Sequence, residues 1–151
     1  MDKLLITGGT RLTGEVRISG AKNSALPLLA GTILASTPMT LTNVPDLHDI
    51  KTMMRILQHM GMTLTKDANG VVVINANTLT QAVAPYELVK TMRASIFVLG
   101  SLVTRFKEAY VSFPGGCAIG TRPVDQYLKA LEALGATVIV EKGYVQAYVD
   151  G

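Results

Sequence analysis

Part of this chain is written twice, and that repetition limits the fold more than any other feature. NSALPLLAGTIL (23–34) lies over RASIFVLGSLVT (93–104) at an offset of 93 − 23 = 70 residues. TLTNVP (40–45) lies over AYVSFP (109–114) at 109 − 40 = 69, and HMGMTLT (59–65) over ALGATVI (133–139) at 133 − 59 = 74. A fixed period of this length marks a supersecondary unit that is stacked because one copy cannot bury its own apolar face.

Periodicity assigns elements to each copy. Residues 4–7 and 15–18 read as short strands around a Gly-rich turn. Residues 23–35 read as a helix apolar nearly all round, buried on most faces. A strand at 40–44 follows. The next helix, 49–60, is amphipathic and sets Ile50, Met53, Met54, Leu57 and Met60 on one face. Strands 62–65 and 71–75 form a hairpin with Asn69-Gly70 as its turn. The order then recurs as a long apolar helix 86–105, a strand 109–113 and an amphipathic helix 124–134. A hairpin of 137–141 with 145–149 closes the second copy around Lys142-Gly143. The reading is an α/β fold of helix–strand–helix–hairpin units, with sheets outside buried central helices. Such arrays need about three units to close a core, so two units point to a fragment of a longer enzyme.

Composition excludes several partners. The chain has 151 residues, 48% hydrophobic and only 17% charged, against about 25% charged in an average globular chain. Disorder is therefore excluded. The net charge is 14 − 11 = +3, and the basic residues are scattered without a cluster beyond a pair. Neither a nucleic-acid stripe nor a basic membrane face is indicated, and a small anion is the better partner. The single cysteine, Cys117, forbids an intrachain disulfide and suits a reducing, cytoplasmic setting. The N-terminal run Leu4-Leu5-Ile6 is too short for a signal-peptide core, and the stretches 25–35 and 94–103 are too short to span a membrane.

The second copy has 74 − 69 = 5 extra residues after its Pro114, within SFPGGCAIGTRPVD (112–125). Insertions in repeat units map to loops, often on the binding face, which singles out Cys117. A thiol there can serve as an acid or, once deprotonated, as a nucleophile. The histidines, His48 and His59, fall in the other copy and make a poor Cys–His pair. Lys22-Asn23 opens the first apolar helix, where unpaired N–H groups and the helix dipole favour an anion. Arg93 stands at the equivalent place in the second copy, and Arg122 precedes Pro123 at the start of the next helix. GGTRLTG (8–14) mimics a dinucleotide loop, but the strand pattern that follows it replaces the required helix. Asp46 and Asp49 read as caps of the second helix. No His/Cys/Asp cluster has metal-ligand spacing.

GAKNSALPLLA (20–30), NVPDLHDI (43–50) and above all GGCAIGTRPVDQ (115–126) resemble the UDP-N-acetylglucosamine enolpyruvyl transferase family, along the whole chain. The resemblance implies two lobes, each an inside-out α/β barrel of three repeated units, with the active site between them. Residues 21–84 and 85–151 would be the first two units of one lobe, and 1–20 a crossover completing the other. The implied reaction moves the enolpyruvyl group of phosphoenolpyruvate to the 3′-hydroxyl of UDP-N-acetylglucosamine and releases phosphate. It is the first committed step of peptidoglycan synthesis and uses no metal or cofactor. By position, Cys117 matches the general acid and the site of fosfomycin alkylation. Lys22 and Arg122 match the phosphate-neutralising cations, with Asn23 as their companion at phosphoenolpyruvate. Arg93 and the run Arg122, Pro123, Val124, Asp125 and Gln126 match the UDP-sugar site; Gln126 is Leu in some relatives. The family's acid/base Asp and a further Arg belong to a C-terminal portion outside this chain. Small basic repeat modules of this kind also bind RNA, but the absence of Trp and the scattered charge oppose that reading.

Overall fold

The first central helix, α1 (Lys22–Gly31), buries Ala25, Leu26, Leu29 and Ala30, and a 3-10 turn, Thr32–Leu34, extends it with Ile33 fully covered. A computed structural model describes residues 3–89, 92–113 and 124–150 of the chain, and the backbone alone of Arg93. Leu28 and Leu34 remain more than half exposed, so α1 is covered on fewer faces than its composition suggests.

A short strand, β1 (Met39–Leu41), leads to α2 (His48–His59). This helix buries Ile50, Met53, Ile56 and Leu57, with Met60 fully covered just past its end, while Met54 sits at the margin of the core. The inward face is thus centred one step away from the expected one. Strands β2 (Thr63–Lys66) and β3 (Val72–Asn75) follow, giving a three-stranded antiparallel sheet in the order β1-β3-β2. The connection between them is not the two-residue Asn69-Gly70 turn. Asp67 Oδ1 accepts the N–H groups of Asn69 and Val71 at 2.9 and 2.8 Å, and Gly70 alone takes a left-handed φ of 75°. The Asp67 side chain organises a longer loop because its carboxylate satisfies two loop donors at once.

Strand β4 (Val83–Ala84) ends the first unit, and the second begins with a single helical turn, α3 (Tyr86–Val89). The expected continuous helix 86–105 is broken. Met92 is extended (φ −144°, ψ 112°), and its carbonyl accepts the Ser95 hydroxyl at 2.6 Å. A 3-10 turn, Arg93–Ile96, then feeds α4 (Phe97–Phe106). The start of α1 is similar: it begins after an extended Ala21 (φ −80°, ψ 132°), and the second central helix begins after an extended residue one place later in the repeat. Strand β5 (Glu108–Ser112), helix α5 (Asp125–Ala133) and strands β6 (Thr137–Glu141) and β7 (Tyr144–Tyr148) complete the copy. Their sheet runs β4-β5-β7-β6, with β4 added in parallel at the edge.

The two sheets therefore share one topology, β1-β3-β2 matching β5-β7-β6. Pairing and burial together correct the alignment of the repeat. Leu41 faces Val72 and Met39 faces Ile74, while Val111 faces Val145 and Ala109 faces Ala147. The strand offset is thus 111 − 41 = 70, not 69, and the insertion is 74 − 70 = 4 residues. A one-residue slip would turn Ala109 and Val111, both buried, onto the outer face. The ends of α2 and α5 repeat as well. Gly61 and Gly135 (φ 102° and 96°) follow the helices. Met62 N–H reaches the Leu57 carbonyl at 3.1 Å, and Ala136 N–H reaches Leu131 at 3.0 Å. Both are Schellman closures, for which Gly is the residue of least strain.

The central helices pack on each other, α4 also covers β5 and β7, and α2 lies on α1. Arg105 of α4 donates to the carbonyls of Ile33 and Ala35 where the first central helix ends, tying the copies at a helix C-terminus that attracts cations. Strands 4–7 and 15–18 do not form: residues 3–19 carry no helix or strand, with Leu4, Ile6 and Val16 at least 84% exposed. A strand needs a partner for its backbone groups, and no described strand lies beside this segment.

Candidate functional site

The N-terminus of α1 is built as an anion site would be. Its N-cap, Ala21, has no side chain to satisfy the first turn's N–H groups, and Lys22, Asn23 and Ser24 are all exposed. The chain is brought there by close backbone approach. A Cβ on Gly20 would collide with the carbonyl of Asn43, and Asn43, left-handed at φ 55°, donates its side-chain amide to the Ile18 carbonyl at 3.4 Å. The glycine of GAKN is therefore required by contact with the loop that leads into α2.

Lys22 is paired. Its Nζ lies 2.8 Å from Asp49 Oδ2. Asp49 is the second residue of α2, and neither it nor Asp46 caps that helix: the N-cap is Leu47, without a side-chain cap bond. The expectation of capping is corrected. Each carboxylate serves a lysine instead. Asp46 accepts from Lys51 and Lys66, both at 3.1 Å, and these two bonds hold its carboxyl below the usual range. Lys66 also donates to the Pro45 carbonyl at 3.3 Å, closing one side of a cleft of about 560 Å³ lined by Ser19, Asn43, Asp46, Lys66 and Asn69.

The other site residues divide between described and undescribed parts of the chain. Arg93 opens the 3-10 turn of the second central helix after an uncapped N-cap, Met92, the counterpart of Asn23 in α1. Val124 is the N-cap of α5 and packs against the core. Asp125 and Gln126 are exposed in the first turn of α5, where Asp125 Oδ2 stands 3.7 Å from Lys129 Nζ. Cys117, Arg122 and Pro123 lie outside the described residues. Among the described residues no hydrogen bond or ion pair joins Lys22 or Asn23 to Val124, Asp125 or Gln126. The described residues also contain no group of three or more His, Cys, Asp or Glu side chains able to hold a metal ion. None of the described helices is long and apolar enough to cross a membrane.

Sequence reasoning missed Asp49 as the partner of Lys22. The available signal was position: Asp49 stands two places after the N-cap Leu47, inside the helix and too late to cap it.

Residues 6–151 match the family described as EPSP synthase (3-phosphoshikimate 1-carboxyvinyltransferase). Two curated proteins, from Acinetobacter guillouiae and Acinetobacter baylyi, both named UDP-N-acetylglucosamine 1-carboxyvinyltransferase, are each 62% identical over 151 residues. Each match covers 100% of this chain and 36% of the relative, so the chain spans about a third of their length. Among solved structures, the enolpyruvyl transferase NikO from Streptomyces tendae superposes with a TM-score of 0.78 at 27% identity, covering 95% of this chain and 31% of that one. An EPSP synthase from Acinetobacter baumannii gives 0.65 at 18% identity over 90% of this chain and 32% of its own, a likeness of fold.

Proposed function

The chain belongs to the EPSP synthase family, and from that premise we propose that it supplies one face of a UDP-N-acetylglucosamine 1-carboxyvinyltransferase site. The observation that carries this reading is the name shared by relatives 62% identical along the whole chain. The substrates are phosphoenolpyruvate and UDP-N-acetylglucosamine, and the matches favour this over RNA binding. Residues 21–84 and 85–151 act as two units of one lobe and 1–20 as a crossover to the other. The remaining catalytic groups come from a C-terminal portion of the enzyme, and the lone thiol suits the cytoplasm.

In this reading Cys117 donates a proton to the methylene carbon of phosphoenolpyruvate. The sugar 3′-oxygen bonds to the neighbouring carbon, and its proton passes to a base outside this chain. The tetrahedral adduct then loses a proton from the new methyl group and expels phosphate, which restores the double bond. Charge grows on the departing phosphate, so fixed cations stabilise that transition state more than the ground state. Lys22 and Arg122 fill this role, helped by the N–H groups of α1 and by Asn23. Arg93 and the start of α5, Arg122 to Gln126, grip the nucleotide sugar.

The test is phosphate release by the complete enzyme carrying this sequence, dependent on both substrates. Cys117→Ala should lose most turnover. Cys117→Asp should keep measurable turnover, because a carboxylic acid also donates a proton, yet escape alkylation by an epoxide phosphonate of the fosfomycin type. Full activity in the Ala variant would remove Cys117 from the mechanism.

A further inference from the structure

The Lys22–Asp49 pair carries an inference that rests on the reading of Lys22 as a phosphate ligand. Lysine is a compact charge on a flexible four-carbon stem, so a lysine at an exposed helix start samples many positions. Here one position is selected, with Nζ 2.8 Å from Asp49 Oδ2. The carboxylate is itself held firmly, because the next residue, Ile50, and then Met53 are fully buried where α2 lies against α1. Among the described residues it is not shared: Lys51 and Lys66 are taken by Asp46. An ammonium has three donors, and this bond uses one of them.

We propose that Asp49 is a positioning residue for phosphoenolpyruvate: it fixes the Lys22 ammonium at the uncapped start of α1 and leaves two donors for the phosphoryl oxygens. A salt bridge that merely held α2 to α1 would act on stability and would be indifferent to the substrate. Positioning acts through Lys22 alone.

The two roles separate in a double-mutant cycle on the complete enzyme carrying this sequence, read as the dissociation constant of phosphoenolpyruvate by calorimetry, which stays measurable when turnover is lost. Lys22→Met alone should weaken binding. Asp49→Asn should weaken it about tenfold or more, the scale on which misplaced groups act, and leave the UDP-N-acetylglucosamine constant within about twofold. Asp49→Glu, which keeps the charge on a longer arm, should recover most of the loss, and Asp49→Ser should behave like Asn. In the Lys22→Met background, Asp49→Asn should cost nothing more, since coupled residues are not additive. Unchanged phosphoenolpyruvate binding in Asp49→Asn, or losses that add, would overturn the positioning role while leaving Lys22 as a ligand. Unchanged binding in Lys22→Met would instead overturn the phosphate-site reading, and this inference with it.

Discussion

The hydroxyl of Tyr127 rests on Gly100: its Oη accepts the Gly100 N–H at 3.1 Å and lies 3.4 Å from the Phe97 carbonyl, to which it donates. The ring meets Phe97 edge-on at 6.5 Å between centroids, so helix α5 is keyed to α4 through one tyrosine. A Cβ at position 100 would stand 2.6 Å from that oxygen. Gly100→Ala should therefore destabilise the fold by about 1–3 kcal/mol, the usual cost of overpacking, despite the better helix propensity of alanine. Denaturant midpoints of Gly100→Ala, Tyr127→Phe and the double variant would check this. The double variant should recover part of the alanine penalty.

Burial raises the Tyr127 phenol above 10.0, opposed in part by the Gly100 hydrogen bond. The folded state thus prefers the neutral phenol. Its contribution is complete below pH 10 and is lost as pH rises through the higher folded value. Between pH 9 and 11, urea midpoints should fall less steeply for Tyr127→Phe than for the parent chain. Parallel curves would show that the tyrosine does not titrate with unfolding.

Arg105 closes the end of the first central helix through the carbonyls of Ile33 and Ala35. Arg105→Met keeps much of the stem and removes the donors. We expect a loss of about 1.5–3 kcal/mol, typical of hydrogen bonds from a charged donor. Amide exchange should rise in Thr32–Leu34 before it rises in α4, and uniform exchange across both would contradict the assignment.

Asp46 titrates in the opposite sense to Tyr127. Its folded pKa is lowered from 3.8 by the bonds from Lys51 and Lys66, so its contribution is present above the unfolded value and lost as pH falls through the folded one. The carboxylate is exposed, and salt screens such pairs. Asp46→Asn should reduce the stability difference between pH 6 and pH 3 at low salt. The reduction should shrink in 1 M salt.

Lys142 and Gly143 form the tight turn of the second hairpin with φ 49° and 78°, a pair of left-handed residues that suits Asn-Gly best. Lys142→Asn should raise stability by about 0.5–1 kcal/mol, because asparagine visits this region at lower cost. An unchanged or lower thermal midpoint would count against the turn.

Much of the architecture was legible because the chain states it twice. A period near 70 and Lys142-Gly143 at a hairpin tip are signals of this kind, and the hairpin they mark formed. Lys22-Asn23 was legible as a helix start, since α1 begins there, while the motif around Cys117 lies outside the described residues. Reading was poorest where a residue's role depends on what arrives from elsewhere. Residues 15–18 have a strand pattern and no strand. Residues 86–105 look like one helix and are interrupted at Met92.

The sequence by itself determined the repeat, most of the kinds of element in it and the cation at the start of α1, because these depend on side-chain period and turn chemistry within a few neighbouring residues. Tertiary structure decided the register of β1 and β5, which side-chain alternation alone leaves free to slip by one until burial selects a face. It also decided that Asp49 takes Lys22 while Asp46 takes Lys51 and Lys66. Three lysines and two carboxylates permit several pairings, and which one forms depends on the packing of α2 against α1, which brings together charges 27 residues apart in the chain.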